Sequence, residues 1–367
     1  MDAPAIPLAA TVADELPATA PSTPRRSWIK LFFGSPLNAV LTIVFGYVIA
    51  QLTVWLVRWA VLDAAFLPAD PATCRSADGA CWSFIIAKHS QILFGIYPPE
   101  ERWRPAAVCV LLLALLIYSV MPAAWTRRLM IIWTAAMVAV FVLMLGGVPG
   151  LVLVPTALWG GLPITLILTV VAIGAAFPLA ILLALARRSK LPAVSALSVL
   201  FIETTRALPL LSILFIASIM LPLLLPEALL PDKFFRALFA LLLFASAYMA
   251  EVIRGGLQAL PKGQAEAAQA LGLSYWQTQR LVILPQAITI VIPALTNTII
   301  VMIKNTSLVL VVGLFDLVSS GKAALADPEW SSPAAETYLF IAAIYFTLCF
   351  AFGRFADSLE RRRKVSP

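Results

Sequence analysis

Charge is scarce in this sequence. Asp, Glu, Lys and Arg make up 12% of its 367 residues, against about a quarter in an ordinary soluble domain. Histidine occurs once, at His89, with no second His, Cys or Asp at ligand spacing beside it. That argues against a zinc centre and against a Ser-His-Asp hydrolase. No Gly-x-x-x-x-Gly-Lys-[Ser/Thr] segment is present, so the usual loop for cradling ATP phosphates is missing. Four cysteines in a chain of this length exclude a small disulfide scaffold. Carboxylates are nearly absent from the apolar stretches. Glu203, Glu251 and Glu336 fall near predicted span ends, which counts against a carrier that moves ions through buried acids.

What is abundant is apolar surface. Hydrophobic residues reach 61% and the mean hydropathy is +0.94. The composition is that of an all-α polytopic membrane protein. A helix needs about 20 apolar residues to cross a hydrocarbon core of about 30 Å. Eight stretches qualify, at 38–59, 106–122, 129–147, 163–186, 205–225, 235–252, 286–303 and 336–356. The fifth contains Pro209 and Pro222, which bundle neighbours must accommodate.

The net charge of +7 follows from how Lys and Arg are distributed. With the N-terminus inside, 17 of the 26 basic residues fall on cytoplasmic segments, among them Arg127, Arg128, Arg187, Arg188, Arg254 and Arg280. The positive-inside rule then places both termini in the cytoplasm, with no need to invoke nucleic acid as a partner. Residues 1–37 read as a disordered, uncleaved cytoplasmic leader, because acids precede the basic cluster Arg25, Arg26 and Lys30. A basic tail, 359–367, closes the chain. The long 60–105 loop lies on the far side and carries Cys74 and Cys81, which either pair there or remain free thiols. Its apolar segment Phe84–Tyr97 is expected along the membrane surface.

The segment 253–285, between the sixth and seventh spans, carries the strongest signal. Gln264–Leu271 is a run of strong helix formers, and Gly272 suits a helix end. Ser274 and Gln277 have capping-box spacing for a second helix. Together they predict a rigid helix–Gly–helix elbow at the cytoplasmic surface. The alanines at 265, 267, 268 and 270 allow another surface to approach closely, and Glu266 offers a charge.

The elbow resembles the EAA motif of ABC importer permeases. Glu266-Ala267-Ala268, three residues, Gly272, nine residues and Val282-Ile283-Leu284-Pro285 follow its pattern, with Val282 in place of the first Ile. The resemblance covers about 160–358. Glu203–Leu211 is similar to the family's E-x-x-R-G-x-P-L-L stretch, with Ala207 for Gly. Ala250–Gly256 and Lys304–Leu308 resemble the polar amino-acid branch. Three extra N-terminal spans within 38–150 resemble the larger permease of general L-amino-acid importers, ahead of a five-helix core at 151–358. The resemblance implies a multi-pass protein of the bacterial inner membrane that works with an ABC ATPase dimer, a second and different permease, membrane lipids and a periplasmic amino-acid-binding protein. It implies no catalytic residue and no bound cofactor or metal, with ATP and Mg used by the ATPase. Glu266, Ala267, Ala268 and Gly272 would dock the ATPase. The rival readings are a secondary amino-acid carrier driven by an ion gradient and a membrane scaffold or enzyme whose elbow merely binds a soluble partner.

The substrate path is less marked. Residues 286–318 would form about 50 Å of helix, too long for the core. A departure from regular helix is therefore expected at Lys304, Asn305, Thr306 and Ser307, the polar cluster of the stretch. These residues either line the path or, for Lys304, reach to the interface. Asn297 either faces the path or bonds a neighbouring helix.

Overall fold

The computed structural model describes residues 28–364; the leader through residue 27, with Arg25 and Arg26, and the last three residues lie outside it. The chain divides into two compact units at Asp63.

The first unit holds α1 (Trp28–Phe33) and α2 (Pro36–Val57), closed by a π-helical turn at Arg58–Leu62. Ser35 caps α2 by accepting from the Asn38 N–H at 3.2 Å, and Pro36 occupies the first turn, where no N–H is needed. Thr42 Oγ1 donates to Phe32 O at 2.9 Å, tying α2 to α1. Residues 28–37, expected to belong to a disordered leader, are thus largely helical. The aromatic run Trp28-Ile-Lys-Leu-Phe-Phe is too apolar to remain a solvated coil.

The second unit begins with α3 (Pro71–Ser76), α4 (Trp82–Phe94), α5 (Trp103–Val120) and α6 (Arg127–Leu145). It continues with α7 (Gly161–Arg187), α8 (Pro192–Ala207), α9 (Leu210–Phe215), α10 (Leu221–Leu224) and α11 (Lys233–Ala259). The last elements are α12 (Gly263–Ala270), α13 (Tyr275–Thr278), α14 (Leu284–Asn305), α15 (Leu317–Leu325) and α16 (Ala334–Lys364), with a two-residue strand β1 (Phe315–Asp316) before α15. Among the described residues seven helices are long and apolar enough to cross a membrane, and the bent pair α8 with α9–α10 makes an eighth.

α11 sits at the centre, packed along α7 and against α14 and α8. The α7 contact is built from small residues. Ala172, Ala176, Ala180 and Ala184 recur every fourth position on one stripe and are buried, sharing one core with Ala237, Ala240, Ala245 and Ala250 of α11. Small side chains let two backbones approach closely where lipid supplies no hydrophobic drive.

The fifth span departs from expectation. Instead of one helix over 205–225, the chain turns by 104° between α8 and α9. Pro209 has no N–H to donate, and it forces Leu208 into extended backbone at φ −89°, ψ 136°.

The 60–105 loop folds onto the body. Cys74 and Cys81 are joined as a disulfide with their Cα atoms 5.3 Å apart. α4, expected on the membrane surface, packs against α15 and α7. Phe84, Ile85 and Ile92 share a buried cluster with Leu317, Ala324, Trp330 and Ile341, and Phe84 meets Trp330 edge to face at 5.3 Å. An apolar stripe of this kind satisfies a protein surface as readily as a lipid one, and Lys88 shows which was used. Its ammonium donates to Asp327 at 2.5 Å. The Cys81 N–H donates to the buried Glu336 carboxylate at 2.7 Å, and Arg75 to Glu329 O at 3.1 Å.

Three backbone segments meet where α4 ends. Gly95 (φ +63°) and Gly160 approach so closely that a Cβ on Gly95 would stand 2.9 Å from the Gly160 Cα. Gly160 and Gly161 in turn pair with Phe315 and Asp316. Gly161 lies at φ +71°, where a Cβ would collide with Leu93 O. Buried Asp316 caps α15, accepting from the Val318 and Ser319 N–H groups.

Candidate functional site: the elbow and the groove

α11 ends at Ala259, and the chain turns through Leu260 and Pro261 into α12. Gly272, at φ +83°, stops that helix in a conformation that strains any side chain. The Leu273 N–H donates to Ala268 O and the Gly272 N–H to Gln269 O, at 3.2 and 2.9 Å. These two bonds form a Schellman motif, which satisfies carbonyls the helix end would leave free. Ser274 and Gln277 then exchange the two bonds of a capping box, opening α13. A π-helical turn, Gln279–Ile283, leads into α14. Gln286 of α14 donates to Gln264 of α12 at 3.2 Å and to Val282 O at 2.9 Å. The expected elbow is therefore present, with its backbone satisfied from within.

The four docking candidates do not share one face. Glu266, Ala267 and Gly272 are exposed, whereas Ala268 is buried under α12. Ala268 seats the elbow on the body, and its neighbours face outward. Sequence reasoning passed over the elbow's apolar rim. Leu271 is 83% exposed and Trp276 65%, and Tyr275 and Leu281 are exposed beside them. Large apolar residues inside an otherwise polar connector were the available signal, because such a patch marks an interaction surface.

The polar cluster 304–307 is not gathered on one face either. α-Helical bonding ends at Asn305, and Thr306–Val312 continues as a 3-10 helix to Gly313. Lys304 is exposed, while Thr306 is buried and donates to Ile303 O at 2.7 Å. Ser307 donates to Lys304 O at 2.8 Å, so both hydroxyls donate within their own helix. Asn297 lies two turns before Lys304 in a groove of about 450 Å³ between α14 and α16, with Thr296, Phe346, Arg354 and Asp357.

Near the elbow end of α11 lies a charged cluster that the sequence presented only as isolated acids. Arg187, at the end of α7, pairs with Glu203 of α8 at 2.8 Å and with Glu251 of α11 at 3.3 Å. Glu203 also faces Arg206 at 3.9 Å, and Glu251 holds Arg254 at 2.5 Å. His89 accepts no such role; its ring nitrogen meets Ile86 O of its own helix at 2.8 Å. No group of three or more His, Cys, Asp or Glu able to hold a metal occurs among the described residues.

Apolar spans with one internally capped, outward-facing elbow between two of them define a multi-pass membrane protein with an exposed connector. The family model described as binding-protein-dependent transport system inner membrane component matches residues 176–365, and the chain belongs to that family. It is 46% identical over 355 residues to the inner membrane amino-acid ABC transporter permease protein YhdY of Escherichia coli (strain K12), covering 94% of this chain and 95% of that one. It is 36% identical to the glutamate/glutamine/aspartate/asparagine transport system permease protein BztC of Rhodobacter capsulatus, covering 90% and 92%. Among solved structures, an amino acid ABC transporter with histidines aligns at 34% identity and a TM-score of 0.47, over 54% of this chain and 90% of that one.

Proposed function

We propose that this chain is the permease subunit of an ATP-driven amino-acid importer in the bacterial inner membrane, and that the 261–285 elbow is where it meets a separate ATPase. Family membership favours this reading over a secondary carrier driven by an ion gradient. ATP and Mg are used by the partner, an ABC ATPase dimer. A periplasmic amino-acid-binding protein delivers substrate, and a second, different permease completes the membrane pair. Both termini are cytoplasmic, and the loop with the Cys74–Cys81 disulfide is periplasmic, where an oxidising compartment favours the bond.

The observation that carries the elbow reading is its combination of internal satisfaction and external exposure. Its backbone needs no partner, yet Glu266, Ala267, Gly272, Leu271 and Trp276 face outward. Substrate leaves along the Asn297 groove between α14 and α16, with Lys304 two turns away to attract a carboxylate and Asn305, Thr306 and Ser307 marking the change of helix type above it.

Glu266→Ala and Gly272→Val test the elbow. Each leaves the spans folded and lowers the ATPase recovered with the detergent-solubilised complex by about tenfold, equivalent to about 1.4 kcal/mol. Full recovery with normal transport in both variants overturns the reading.

A further inference from the structure

We infer that Arg187 is a releasable bridge, the positioning residue through which movement of the elbow reaches α7 and α8. The inference rests on the elbow reading above.

The elbow has two legs, α11 and α14. They are clamped together where Gly256 meets α14, since a Cβ there would stand 2.7 Å from Ala287 O and 2.6 Å from the Val291 side chain. A displacement of the elbow therefore moves both legs. α8, by contrast, joins neither leg directly in sequence, and α7 shares with α11 a core rich in buried alanines. At the elbow end of that core the contact becomes polar. Arg188 donates to Leu257 O of α11 at 3.0 Å, and Arg187 reaches carboxylates on both α8 and α11. Glu251 lies about 12 Å of helix before the end of α11 at Ala259, at about 1.5 Å per residue, where the chain turns into the elbow.

The pairing scheme marks the bridge as reversible. Each carboxylate has a second arginine on its own helix, three residues on: Arg206 for Glu203 and Arg254 for Glu251. Arg254 grips Glu251 through two nitrogens, at 2.9 and 2.5 Å. Arg206 is also held over the Tyr248 ring at 5.7 Å. Arg187 can thus release either carboxylate without stranding an unpaired charge, which is the step that makes breaking an ion pair costly. The three arginines outnumber the two acids, so one guanidinium is always the one to let go. The side chains are between a fifth and a half exposed, so water reaches the released group. A joint whose members have alternative partners has two discrete arrangements, which is what coupling between distant sites requires.

The test is Arg187→Gln in the complete transporter, with ATPase, second permease and binding protein, reconstituted in proteoliposomes. The measured quantity is ATP hydrolysed per substrate imported. Assembly and binding-protein-stimulated hydrolysis stay within about twofold of wild type, import falls at least about tenfold, and the ratio rises at least about fivefold; Arg187→Lys, which keeps the charge, recovers part of it. An unchanged ratio overturns the proposal. If Arg187→Gln fails to assemble, the Glu203→Gln/Glu251→Gln pair removes the same bridge with Arg187 in place, and a wild-type ratio there overturns it equally. Failure of the elbow reading appears separately, as normal ATPase attachment in Glu266→Ala and Gly272→Val.

Discussion

Two connectors of this chain solve the same problem in opposite ways. The 60–105 loop and the 253–285 elbow each carry short helices between spans, and each contains large apolar residues. In the loop one face of α4 is spent inward, although Leu67, Ile86 and Trp103 stay exposed. Phe84, Ile85 and Ile92 fill a buried cluster, and the disulfide and the Lys88–Asp327 pair fasten it. In the elbow the backbone is satisfied by a Schellman motif and a capping box, while Leu271 and Trp276 remain outside. A connector that buries its apolar groups is part of the fold. One that is rigid without burying them presents an exposed apolar patch of the kind that marks interaction surfaces.

This contrast can be broken by mutation. The largest effect belongs to Phe84→Ala, which removes a fully buried ring from the loop cluster. It costs about 3 kcal/mol of stability, read as earlier unfolding of the detergent-solubilised chain, with ATPase attachment unchanged. Cys81→Ser opens a cross-link across seven residues and costs about 2 kcal/mol by loop-closure entropy, read in the same melt under non-reducing conditions. Trp276→Ala inverts the pattern: the unfolding temperature stays put while recovered ATPase falls several-fold, by about 1 kcal/mol. A drop in the melting temperature of that variant would make the rim structural and dissolve the contrast.

The smallest effect concerns pH. The Lys88 ammonium bonded to Asp327 holds that carboxyl below its ordinary value. An acid depressed in the folded state contributes stability that is present above its unfolded pKa, about 3.9. That contribution is lost as pH falls from there through the lower folded value. Lys88→Ala should therefore narrow the gap between the melting temperatures at pH 7 and pH 3, while Lys88→Arg preserves it.

The sequence-level reading succeeded where the signal is local. The Ser274–Gln277 spacing and the glycine at 272 each depend on a few consecutive residues, and both folded as expected. Hydropathy placed the spans for the same reason. It failed at Pro209 because an average over twenty residues cannot see a corner, and α8 with α9–α10 is as apolar in sum as a straight helix. It failed at α4 because the apolar stripe of Phe84, Ile85 and Ile92 does not say whether lipid or protein will cover it. Four consecutive polar residues at 304–307 suggested one cluster, but helical geometry turns successive side chains by about 100° and sends Thr306 inward while Lys304 faces out. Glu203 and Glu251 were visible as acids near span ends. Their shared partner Arg187 lies 16 and 64 residues away, a relation that only the fold can supply.

The crossing at Gly95, Gly160 and Phe315 ties together three stretches that are far apart along the chain. Around Gly160 the groups nearest an added methyl are all main chain, Gly95 Cα at 3.1 Å, Ile96 N at 3.2 Å and Phe315 O at 3.4 Å, so no neighbouring side chain can change rotamer to absorb it. The exit of α4, the entry of α7 and the turn before α15 thus share a single pivot. A change at Gly160 displaces all three, and the damage would surface as misplacement of the disulfide-bearing loop more than 60 residues upstream. Suppressors of such a change should map to Gly95 or to Phe315–Asp316 and not to the residues beside Gly160 in sequence. In that sense the three segments behave as one inherited character.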